Sequence, residues 1–240
     1  MSDRHVQAGP GRDLQASTQE DTAPTRRLDL VAIERSLRAV QRNFEQINRR
    51  LETPRDPLSD QVIEHMLSGY RQVDSLLAEG VDPFALGNSR AVLELNFFVI
   101  CGNDRGLREE CAPALSATEK RFYAKGNGGF ESLAELQALI AGESVWRRAA
   151  AAYIQVLSEP QLFIEGNHRT GALIMSWLLA REGKPPFVLS VDNAKAYFDP
   201  SSIAKSLRKH SLRMMLSRPK LLKRFAALLK NGAQSAHQIL

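Results

Sequence analysis

Phe163-Ile164-Glu165-Gly166-Asn167-His168-Arg169-Thr170-Gly171 is a polar, glycine-containing stretch set between two apolar runs. Before it, Ser144 to Leu157 is rich in alanine and other strong helix formers. After it, Ala172-Leu173-Ile174-Met175-Ser176-Trp177-Leu178-Leu179-Ala180 is too apolar for a surface and predicts a buried helix. A loop that opens such a helix aims free backbone N–H groups and the positive end of the helix dipole at one spot. Arg169 adds a guanidinium suited to bidentate phosphate contacts. Glu165 adds a carboxylate able to hold a magnesium ion beside those phosphates. Together they suggest a phosphate site. The plainer alternative is ordinary Gly-Asn loop chemistry, with Arg169 and Glu165 as a surface ion pair.

The same stretch, read from Gln161 to Ala172, resembles the signature of the Fic (Fido) superfamily, His-x-Phe-x-Asp/Glu-Gly-Asn-Gly/Lys-Arg-x-x-Arg. The surroundings agree: an alanine-rich helix with Tyr153 before it, and after it a helix that runs to Arg181-Glu182-Gly183-Lys184-Pro185-Pro186. The resemblance spans residues 85–200 and implies a mainly α, Fic-like helical core. It also implies binding of ATP or another nucleotide with Mg²⁺, and transfer of AMP or another phosphate-containing group to a Ser, Thr or Tyr hydroxyl of a protein target. By position, Gly166, Asn167, His168 and Arg169 would hold the phosphates and Glu165 the metal, with Phe163 as a buried anchor.

Three positions depart from the pattern. Gln161 stands where the family has its catalytic His, and an amide has no useful basicity at neutral pH. Ala172 replaces the last motif Arg, and His168 takes the Gly/Lys position. The binding half of the site is better kept than the chemical half. Catalysis is therefore expected to be impaired or altered, and the alternative is an inactive pseudoenzyme working through other surfaces. Many Fic proteins also carry an inhibitory helix with a Ser/Thr-x-x-x-Glu-Gly/Asn motif. No such motif is expected here, and Ala172 would leave its Glu without a partner, so autoinhibition of that type is not expected.

Outward from the motif, the chain reads as helices. Residues 1–27 are polar and of mixed charge, which predicts a disordered tail. Residues 28–84 predict a helical extension. Within it, Leu30, Ile33, Leu37, Val40, Phe44, Ile47 and Leu51 repeat in threes and fours over one helix from 28 to 51. That seam fits packing within the domain, with a homodimer as the sharper alternative. Ser59 reads as the N-cap of a second helix that ends at Gly80, and a third runs from Asn88 or Ser89 to Gly102. Residues 103–117 look polar and irregular. Residues 121–132, with Gly126-Asn127-Gly128-Gly129 at their centre, predict a short β-hairpin, which by the resemblance would be the target-pairing flap, or else a plain loop. Leu133 to Ile140 predicts a short helix.

Charge divides the chain. Residues 200–240 hold nine Lys and Arg and no Asp or Glu, a charge of +9 against +5 for the whole chain, so the first 199 residues carry a net −4. Leucines interleave with these cations, which predicts basic amphipathic helices over 201–240, broken near Pro219. Such a face suits an acidic protein or an anionic membrane surface. Nucleic acid is disfavoured for want of zinc-ligand spacing or a base-reading motif. With only two cysteines, a disulfide framework is not expected, and neither is a membrane span or a signal peptide. A cytoplasmic protein is the default, with export as an effector left open.

Overall fold

The computed structural model describes residues 27–126 and 129–239. The tail expected over 1–27 lies outside them, except for Arg27. The described residues form eleven α-helices and one two-stranded antiparallel sheet, so the chain is mainly helical.

At the centre is a helical hairpin of α8 (Val145–Leu157) and α9 (Asn167–Arg181). Helix α9 is buried from Thr170 to Ala180 because its sequence is apolar on every side. Gly171 makes its close approach to α8 possible: a Cβ there would sit 2.6 Å from Cδ2 of Tyr153. Helices α3 (Asp60–Ala78) and α4 (Ser89–Cys101) cover the other sides of α9. On the outer side of α8 lie α7 (Phe130–Leu139), α10 (Ala194–Ser206) and α11 (Leu212–Asn231). One apolar core runs through all of them, from Leu28 to Leu229.

The heptad-like seam packs inward. Ile33, Leu37, Val40, Phe44 and Ile47 are all buried. The expected single helix is two, α1 (Leu30–Arg42) and α2 (Phe44–Asn48). At the break, Asn43 donates its side-chain amide to the Ala39 carbonyl at 2.8 Å, competing with the helix ladder. Ser59 caps α3 as its sequence position suggests, accepting from the Val62 N–H.

Residues 103–117 are not irregular: α5 (Arg105–Glu110) and α6 (Ala112–Phe122) occupy them. Asp104 starts α5 by accepting from the Leu107 N–H, and Pro113 falls in the first turn of α6, where its missing N–H costs nothing. The hairpin expected over 121–132 is not formed by the described residues of that segment. Helix α6 extends through Phe122 and α7 begins at Phe130. Phe122 is fully buried against Phe130 and Phe163, so core packing claims the residues a flap would have paired. The turn's Asn127 and Gly128 lie outside the described residues. The antiparallel pair lies instead at the two ends of the described residues, joining β1 (Arg27–Leu28) to β2 (Gln238–Ile239).

Pro219 does not break α11, which is continuous across it. The carbonyl deprived of an N–H donor belongs to Met215, and both residues are exposed, so water can supply the missing hydrogen bond. No described helix is long and apolar enough to cross a membrane.

Candidate functional site

The loop between α8 and α9 is built around Gly166, the N-cap of α9, at φ 72° and ψ 8°. This left-handed conformation suits glycine. A Cβ there would also lie 3.0 Å from side-chain atoms of Asn96, Val99 and Ile100 on α4, so the turn is pressed onto a neighbouring helix. Asn167 closes the loop from within. Its Oδ1 accepts from the Phe163 N–H at 2.9 Å, and its Nδ2 donates to the Phe163 carbonyl at 2.9 Å and to Gln161 Oε1 at 3.3 Å. Asn96 locks the other side, donating from Nδ2 to the Glu165 carbonyl and to Thr170 Oγ1, both at 2.9 Å. Phe163 is buried and stacks on Phe122, as an anchor should.

The backbone of 166–169 thus forms a fixed turn at the head of a long buried helix. Among the described residues, the amides of Asn167, His168 and Arg169 donate to no carbonyl. They are the free donors that a helix start offers to an anion. The side chains spread away from them. Glu165 is exposed, while Arg169 turns inward and donates to the Val99 carbonyl. Burial lowers the Arg169 pKa from its ordinary value, with the Glu165 carboxylate acting the other way. His65 on α3 lies within the field of this guanidinium; burial first, and that cation second, lower its pKa.

His168 also points inward. Ser201 Oγ donates to the Tyr197 carbonyl at 2.5 Å, so it accepts from the Tyr153 hydroxyl at 2.8 Å. Tyr153 oxygen then accepts from Nδ1–H of His168 at 3.0 Å. This relay fixes the tautomer and leaves Nε2 as a buried lone pair without a partner. Burial, with the Arg55 and Lys205 cations behind it, lowers the His168 pKa to about 4, so the ring is neutral at pH 7.

Gln161 has a structural part. Its Nε2 donates to the Leu157 carbonyl and its Oε1 receives Asn167, so both ends of the amide hold the loop. Two cations absent from the sequence motif brace the same place. Arg121 donates through Nε and Nη2 to the Gln161 carbonyl, and Lys209 through Nζ to the Pro160 carbonyl at 2.7 Å. Burial, and then Arg121, lower the Lys209 pKa to about 8. Spacing could not reveal either residue, because each lies forty or more positions from the loop. Asn96 left a fainter signal, as a lone amide within the apolar run Leu95 to Ile100.

The residues fit an anion better than a metal. Among the described residues no three His, Cys, Asp or Glu side chains converge on a metal position, so Glu165 would be one carboxylate with phosphate oxygens completing the shell. Contrary to the expectation that no inhibitory motif occurs, Ser75-Leu76-Leu77-Ala78-Glu79-Gly80 has the Ser-x-x-x-Glu-Gly spacing. It ends α3 beside Asp82, which pairs with Arg181 at the last turn of α9, the end of that helix opposite the loop.

Fold and site together describe a helical bundle whose central hairpin carries a fixed turn with three first-turn amides that donate to no carbonyl. No protein-family model, curated protein or solved structure matches the chain.

Proposed function

We propose that this chain is a Fic-like phosphate- or nucleotide-binding protein whose site lies at the start of α9. The observation that carries the reading is the Gly166 turn, which holds three free first-turn amides at the head of a buried fifteen-residue helix. Those amides would hold the phosphates, and Glu165 would meet a magnesium ion bound with them. A bound nucleotide would supply the activated phosphoryl group. The chain's own residues position it and keep the loop rigid through Asn96, Asn167, Arg121 and Lys209.

A second reading is favoured by the Gln161 amide. Both its ends are engaged inside the loop, and it cannot take a proton from a target hydroxyl. Loss of a general base costs roughly 10²- to 10⁴-fold in rate. The chain on this reading binds the nucleotide without transferring efficiently, as a pseudoenzyme.

Calorimetric titration with ATP, with and without Mg²⁺, tests the site. Glu165→Ala is the informative variant because the side chain is exposed and the fold does not need it. Wild-type binding strengthened by Mg²⁺, with that strengthening lost in the variant, supports the reading. No heat at millimolar ATP would sink it. Gln161→His, assayed with labelled nucleotide on a mixture of candidate proteins, separates a silenced enzyme from a scaffold: only the former gains label.

A further inference from the structure

We propose that the solvent-facing side of the first two turns of α11 is a docking surface for an anionic lipid bilayer. Leu212, Met215 and Leu216 are 78%, 65% and 83% exposed. At spacings of three and four they share one helix face and protrude together. The opposite face, with Met214, Leu221 and Phe225, is buried. The helix is therefore apolar on two sides, and the core uses only one. Single exposed leucines are ordinary, but three adjacent on one face call for a partner.

Charge selects the partner. Arg213, Lys220 and Lys223 are exposed on the same helix, and no Asp or Glu occurs from Pro200 to the end of the chain. Beside Pro219 the acid facing the helix from a packed neighbour is Glu143, which pairs with Arg147 at 2.8 Å. Glu52, Asp192 and Asp199 line a separate groove with Arg224 and Leu228, in the later turns of α11. An acidic protein would answer the cations but would also need a pocket for each protruding apolar side chain. A bilayer takes both at once, with leucine and methionine at the acyl boundary and Lys and Arg among the headgroups.

The surface sits close to the loop before α9. Glu159 and Arg208 form a bridge, and Lys209 reaches the Pro160 carbonyl, just ahead of Ser211, the cap of α11. Docking would hold the start of that loop near the membrane. The proposal stands whether or not the loop binds nucleotide.

Cosedimentation of the full chain with phosphatidylcholine vesicles, with and without about one third phosphatidylserine, tests it. Binding is expected only to the anionic vesicles, falling at high salt. Leu212→Asp with Leu216→Asp should abolish it, and Lys220→Glu with Lys223→Glu should weaken it at least about tenfold. All four positions are exposed, so both variants should keep the wild-type melting temperature. Equal binding to neutral vesicles, no binding to either, or variants that bind like wild type would overturn the proposal. Capture by immobilised polyglutamate without vesicle binding would overturn it in favour of an acidic protein.

Discussion

At the residue scale, Gly166 and His168 show how position decides chemistry. Gly166→Ala would force a side chain into the left-handed region and against Asn96, Val99 and Ile100. A loss of about 1–3 kcal/mol is expected in urea denaturation, without any change in helix content by circular dichroism. His168 gives a pH dependence of known sign. Its folded pKa of about 4 lies below its ordinary 6.5, so the unfolded chain binds the proton more readily. The stability tied to the neutral ring is fully present above pH 6.5 and is lost as pH falls from 6.5 to 4. Linkage makes it on the order of 3 kcal/mol. His168→Gln should remove that slope from the stability profile between pH 7 and 4. An unchanged slope would mean the ring is not held neutral.

At the scale of elements, α11 carries two opposed features. Ser211 caps it by accepting from the Met214 N–H at 3.1 Å, and Ser211→Ala should cost about 1 kcal/mol. Pro219 lies in its interior, where a proline removes one hydrogen bond of the helix. Pro219→Ala restores a donor for the Met215 carbonyl, offset in part by a freer unfolded chain. A net gain of about 1–2 kcal/mol is expected, read as a higher melting temperature; a fall would show that the ring packs usefully in the groove beside Ile140 and Leu222. The same scale explains the missed α5 and α6. Their apolar residues are too few for a visible periodicity, and α5 has no fully buried side chain. Local capping by Asp104 starts α5, while α6 is anchored by Phe122.

For the whole molecule, the two ends of the described chain meet. Leu28 pairs with Gln238, the Asp29 N–H donates to the His237 carbonyl at 3.0 Å, and Ser36 Oγ shares a hydrogen bond with His237 Nε2. Asp74, buried on α3, anchors this seam by accepting from the Leu28 amide at 2.8 Å and from Arg27. Asp74→Ala leaves the buried Leu28 amide without a partner, at a cost of about 1–3 kcal/mol. Hydrogen exchange should then show early loss of protection at Leu28 and Ile239, ahead of the central helices. Retained protection at both would show that the sheet holds without the carboxylate.

Much of the bundle was legible in the residues alone. The period of apolar side chains placed α3, α4, α8 and α9, and the all-round apolar run after Thr170 marked the helix that the others surround, because burial on every side demands apolar residues on every side. The Gly166 turn was legible too, since Gly-Asn ahead of a buried helix has few other uses. What the sequence could not settle was where long side chains go. Arg169 turns to the Val99 carbonyl, His168 joins Tyr153 and Ser201, and Arg121 with Lys209 reaches the loop from distant helices and turns. Nor could it choose between a hairpin and two helices around Gly126, because the burial of Phe122 against Phe163 decides that. Local pattern fixes which segments coil. Partners remote in sequence exist only once the helices have packed, and they decide what each polar group near the loop is for.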